Sequence, residues 1–110
     1  MVLLARGQIW SLFYDKGCRK KQWFALVISP SNLNKTGAIV LPVQVLSDNQ
    51  NWDSFDLIFK CNETDFERDI AITTTSIATL RDDQFVDYLG RLKESQMKEI
   101  EAALKFTLDL

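Results

Sequence analysis

Residues 23–30 read Trp23-Phe24-Ala25-Leu26-Val27-Ile28-Ser29-Pro30, an apolar run closed by serine and proline. A run this short with no polar relief is a strand buried on both faces, because an amphipathic helix needs greater length and a 3.6-residue period. Pro30 and the polar segment Ser31-Asn32-Leu33-Asn34-Lys35-Thr36-Gly37 then break it. Upstream, Gln8-Ile9-Trp10-Ser11-Leu12-Phe13-Tyr14 has strand composition, Asp15-Lys16-Gly17 is a turn signal, and Cys18-Arg19-Lys20-Lys21-Gln22 reads as a polar connection.

Downstream, Ala38–Val45 reads as a third strand interrupted at Pro42, which has no N–H to give a ladder and marks a bulge, an edge or a corner. The polar stretch Leu46 to Ser54 is a loop before the alternating strand Phe55–Lys60, and Cys61 to Asp69 is a second loop. Ile70–Leu80 is rich in β-branched residues, which fit a pleated surface, and reads as a strand broken near Thr74-Thr75. Phe85–Leu92 is a last short strand. From Glu94 the period changes: Met97, Ile100, Leu104 and Leu108 fall at helical spacing, with Ala103 beside them. Glu94 suits the start of that helix, Ser95 is an alternative cap, and Asp109 is slightly unfavourable at its end.

The chain of 110 residues, 46% hydrophobic and 11% aromatic, can bury one core, so a single domain over 1–110 is expected. The class is mainly β with a C-terminal α-helix, a small SH3-like barrel of about five to seven short antiparallel strands. Such barrels serve many functions, so the function has to be read from particular residues.

With 13 basic and 15 acidic residues the formal charge is −2, and any polyanion site must come from local clustering. Arg6 ends the apolar start Met1–Ala5 before a signal core or a membrane span can form, so a cytoplasmic location without membrane attachment is expected. Cys18 and Cys61 lack metal-ligand spacing and read as ordinary thiols. The acidic residues Asp65, Glu67, Asp69, Asp82 and Asp83 fit no calcium loop and read as solvated charge, so neither a metal nor a cofactor is expected. Asn62-Glu63-Thr64 is a chance glycosylation pattern in such a chain. There is no histidine, which removes the usual general acid and base.

Three local patterns carry a resemblance. Arg6-Gly7-Gln8-Ile9-Trp10 stands near the start, Ala25-Leu26-Val27-Ile28-Ser29-Pro30 is followed by Asn34-Lys35-Thr36-Gly37, and Gly90-Arg91-Leu92 leads into the helix that holds Ala103-Leu104. In order and spacing the chain resembles the MazF/PemK toxins of bacterial type II toxin–antitoxin modules, within the CcdB/MazF superfamily. The resemblance implies a barrel-like sheet, a homodimer and a cognate antitoxin. In the MazF branch it also implies cleavage of single-stranded RNA at short sequences without a metal ion.

Metal-free cleavage needs a group to deprotonate the ribose 2′-hydroxyl, a donor for the leaving oxygen and a cation near the phosphorane. The family supplies an arginine, followed by proline, at the start of the second strand and a hydroxyl residue after the third-strand proline. The positions that match here hold Trp23, Phe24 and Gln44. Arg19, Lys20 and Lys21 form the densest positive cluster and are the candidates for the missing cation, with Arg19, Lys21 and Gln44 as candidate catalytic residues. A basic segment beside an aromatic grips phosphate while a base stacks, so Arg19, Lys20, Lys21, Trp23 and Thr73 are the candidate nucleic-acid contacts. The bland alternatives are a solvated loop beside core aromatics, a solvent-facing Gln44 and ordinary strand composition for Thr73-Thr74-Thr75-Ser76.

Three rival readings stand beside this one. The CcdB branch poisons DNA gyrase by binding and would need no arginine at position 23, yet it ends in Trp-Gly-Ile where this chain ends in Thr107-Leu108-Asp109-Leu110. A catalytically degenerate member is the second, and a non-toxic SH3-like interaction module with a groove near Trp23 and Phe24 is the third.

Overall fold

The computed structural model describes residues 4–16, 19–31, 35–45, 56–60, 62, 64, 66 and 68–110, with the backbone alone for 13–16, 19–23 and 56. Cys18, Cys61, the loop 46–54 and residues Asn34, Glu63, Asp65 and Glu67 lie outside the described residues. The elements are β1 (Gln8–Lys16), β2 (Arg19–Val27), β3 (Gly37–Val45), β4 (Asp56–Phe59), β5 (Ile70–Thr73), β6 (Ala78–Arg81), β7 (Phe85–Arg91) and the helix α1 (Glu94–Leu108).

The strands form one antiparallel sheet in the order β4-β5-β3-β2-β1-β7, with β6 also paired to β3. The β-branched run from Ile70 does break after Thr73. Its first half, β5, pairs with Val43–Val45, and its second half, β6, pairs with Gly37–Val40. Pro42 falls between these two ladders, where β3 exchanges one partner for the other, so its missing N–H leaves no gap in either.

Strands β6 and β7 lie on opposite sides of the β3-β2-β1 core of the sheet, yet a single 3-10 turn, Asp82–Gln84, joins them. A connection that short forces the sheet to curl until its two sides approach, which is the barrel-like part of the fold. The space enclosed is filled by Leu4, Trp10, Ala25, Val27, Ala38, Val40 and Phe85. Trp10 meets Phe85 edge-on at 6.2 Å and Tyr88 at 5.7 Å, the geometry that ring quadrupoles prefer. Gly37 is required by this closure, because a Cβ there would fall 2.1 Å from the Leu80 carbonyl oxygen of β6.

The other face of the sheet is covered by α1. Ile9, Leu26, Leu41, Val43, Phe59, Ile70 and Ile72 pack with Leu92, Met97 and Ile100 into a second core. Each of these aliphatic side chains contributes about 2 kcal/mol by leaving water. Burial falls along the helix from Ile100, fully buried, through Leu104, half-buried, to Leu108 at 51% exposure. Leu108, expected on the packed face, therefore stands clear of the sheet. The last turn is held instead through Thr107, whose hydroxyl lies 3.4 Å from that of the buried Thr74.

Two expectations need correction. The polar stretch from Arg19 is strand, since Tyr14, Asp15 and Lys16 of β1 pair with Lys21, Lys20 and Arg19. Strand pairing needs cross-strand partners and not an apolar run, and the register sets an acidic residue opposite a basic one at Asp15 and Lys20. The helix does begin at Glu94, but Ser95 does not cap it: the N-cap position is Lys93, without a side-chain cap bond, while Gln96 Oε1 accepts the Lys93 N–H at 2.8 Å.

Candidate nucleic-acid interface

Alternation along β3 buries Leu41 and Val43 under the helix and exposes Gln44. Strand β2 pairs with β3 up to Phe24↔Val43, so Trp23 and Gln44 occupy the next register positions on the two strands. On the far side of β3, Gln44 pairs with the small, buried Ala71. Two residues on from Ala71 along β5 stands Thr73, half-buried, whose own register partner is Asp56 of β4. One end of the sheet thus gathers Trp23, Gln44, Thr73 and Asp56 from four adjacent strands.

The basic cluster is only partly drawn into this set. A strand rises about 3.3 Å per residue, so Lys21 is roughly 7 Å from Trp23 on the same alternating register set, and Arg19 is roughly 13 Å away. Lys20 belongs to the alternate set. Among three cations that are equivalent in the sequence, the strand geometry therefore separates Lys21 from the other two.

Two positions of the site carry no mark in the sequence. Asp56 reads as an ordinary strand residue, and only its pairing with Thr73 brings a carboxylate position to the set. Thr74 reads as one more strand hydroxyl, whereas it is buried and ties the turn after Thr73 to the helix end. No local signal distinguishes either, because both depend on long-range pairing. Among the described residues no three His, Cys, Asp or Glu side chains come together as a metal site, and no helix is long and apolar enough to cross a membrane.

A sequence profile of the PemK-like, MazF-like toxins of type II toxin–antitoxin systems matches residues 5–108. The chain belongs to that family. This MazF-like toxin has no match among curated protein sequences. Its fold is shared with MazF of the Deinococcus radiodurans MazE–MazF complex, at TM-score 0.78 and 14% identity, over 99% of each chain. A mycobacterial endoribonuclease solved with its cognate antitoxin aligns at TM-score 0.72 and 22% identity over 100% of this chain and 97% of that one. The Mycobacterium tuberculosis toxin MazF-mt6 gives 0.72 and 14% identity over 94% and 97%. At such identities the likeness shows the fold.

Proposed function

We propose that this MazF-like toxin arrests growth as a metal-independent endoribonuclease that cuts single-stranded RNA at short sequences, as a homodimer restrained by a cognate antitoxin. The observation that carries the reading is the meeting of Trp23, Gln44, Thr73 and Asp56 at one sheet end, with Lys21 two residues along β2. The aligned proteins, an endoribonuclease with its antitoxin and a MazE–MazF complex, point the same way.

The chemistry asked of these residues is modest. A base removes the 2′-hydroxyl proton, the resulting alkoxide attacks the adjacent phosphorus, and the bond to the 5′-oxygen breaks. The products are a 2′,3′-cyclic phosphate and a 5′-hydroxyl whose proton comes from an acid. Gln44 offers amide donors and an acceptor but no titratable proton, so its role is to hold a phosphate oxygen or a base edge. Lys21 supplies positive charge near the phosphorane and a proton for the leaving oxygen, Asp56 is the carboxylate that takes the 2′-proton, and Thr73 orients the phosphate. Trp23 stacks a base, with Arg19 and Lys20 holding phosphates along the hairpin.

The test is incubation of purified, antitoxin-free protein with mixed single-stranded RNA in EDTA, with the cut ends mapped, alongside an Arg19→Ala/Lys20→Ala/Lys21→Ala variant. Discrete cuts ending in cyclic phosphate, abolished in the variant, are expected. Intact RNA under conditions where the protein still arrests growth would overturn the reading and favour a binding poison such as one acting on gyrase. Light scattering is expected to give twice the chain mass of 12.7 kDa.

A further inference from the structure

A second concentration of positive charge lies at the opposite end of β1 from the hairpin. Arg6, Arg91, Lys93 and Lys98 line a cleft of about 700 Å³, with Glu94 and Glu101 as the acidic side chains on its walls. Arg6 pairs with Glu101 across it, both partly exposed. The balance of four cations against two carboxylates runs against a chain whose net charge is −2.

The cleft also breaks a local rule of stability. The first turn of α1 leaves backbone N–H groups that Ser, Thr, Asp or Asn normally caps, and here Lys93 takes the N-cap with no side chain able to accept. A lysine there also sets positive charge against the positive end of the helix dipole. A position that gives up stability by two separate mechanisms is where a functional demand is to be sought.

We infer that this cleft is a phosphate-binding subsite that holds the backbone of single-stranded RNA away from the scissile bond. The choice of RNA as occupant rests on the ribonuclease reading above. The alternative occupant, an acidic peptide, would need apolar anchors in pockets for its affinity. Leu92 and Met97, the apolar residues of the cleft, are already committed to the core at 3% and 7% exposure. What remains on offer is charge, which suits a polyphosphate bound by counterion release.

The probe is a fluorescein-labelled oligodeoxynucleotide, which lacks the 2′-hydroxyl and cannot be cut, titrated by anisotropy between about 50 and 200 mM salt. An Arg91→Gln/Lys98→Gln variant is expected to bind about tenfold more weakly at the lowest salt. Its log K against log salt slope should be shallower by about 1.4, roughly 0.7 for each phosphate no longer neutralised. Lys98→Gln alone should give half that change in slope, and serves if the double variant unfolds. Unchanged slope and affinity in the folded variants would overturn the subsite. So would binding of an oligoglutamate, abolished in the variants, by a protein that ignores the oligonucleotide. In RNA cleavage the variants should raise KM and leave kcat as it is. If the wild-type protein cuts no RNA, the ribonuclease reading fails while the oligonucleotide slope still decides the cleft.

Discussion

The same face of β2 and β3 is closed at one end and open at the other, and Pro42 marks the change. On the closed side Ala25, Val27 and Val40 are buried under the curl made by β6 and β7. On the open side the next positions are Trp23 and the exposed Gln44, with Thr73 beyond them. The difference shows how one small sheet divides its labour. Where β3 pairs with β6 the chain must fold over and exclude water, and where it pairs with β5 no strand among the described residues follows round to cover the face.

The sharpest way to break that comparison is to remove a large side chain from each region. Phe85→Ala takes out a 5%-exposed ring that lies edge-on to Trp10 and is expected to cost about 3–4 kcal/mol in urea unfolding. Gln44→Ala should change stability by less than about 0.5 kcal/mol, as surface substitutions do. Comparable losses at the two sites would mean that the open end is itself part of a packed core.

The next contrast lies within the open region. Lys21→Ala is expected to lower cleavage of single-stranded RNA by about 100-fold, the scale of one transition-state donor or charge, with the unfolding midpoint unchanged. Arg19→Ala, farther out along the same strand, should act mainly on KM. Equal losses in kcat for the two would place the reacting phosphate along the hairpin instead of at the sheet end.

How far this division can be read from the sequence depends on the range of the contacts that make it. The strands around Leu26, Leu41 and Ile72 and the helix face at Met97 and Ile100 announce themselves through local apolar patterning. The break after Thr73 is legible because a β-branched run of that length exceeds an ordinary strand. The start of β2 at Arg19 is not, because its polar residues carry no apolar pattern and are set in the strand by their pairing with β1. Of the site, Gln44 and Trp23 are reached through family resemblance, and their juxtaposition follows from register. Asp56 and Thr74 depend on partners 17 and 33 residues away, which no local pattern encodes.

A smaller effect is expected where the two regions are joined. Thr74→Val keeps the shape of a 2%-exposed side chain and deletes the hydroxyl 3.4 Å from Thr107. The cost should be about 1 kcal/mol by thermal unfolding, the net value of one such hydrogen bond. If Thr73 orients substrate from the end of β5, the same variant should also lower kcat several-fold, since the turn that follows it loses its tie to the helix. A stability loss with unchanged kcat would make the tie purely structural.

The smallest effect has the opposite sign. Lys93→Ser restores a side-chain acceptor at the N-cap of α1 and removes a cation from the positive end of its dipole, and both changes favour the folded state. The expected gain is about 0.5–1 kcal/mol in urea unfolding, provided that Gln96 keeps its bond to the backbone N–H of residue 93. The same substitution removes one of the four cations of the cleft, so oligonucleotide affinity should fall as stability rises. Opposite movement of the two quantities is what a functional demand on the helix start requires. A gain in stability with no loss of binding would leave the lysine at the N-cap without a physical reason and return the first turn of α1 to ordinary surface.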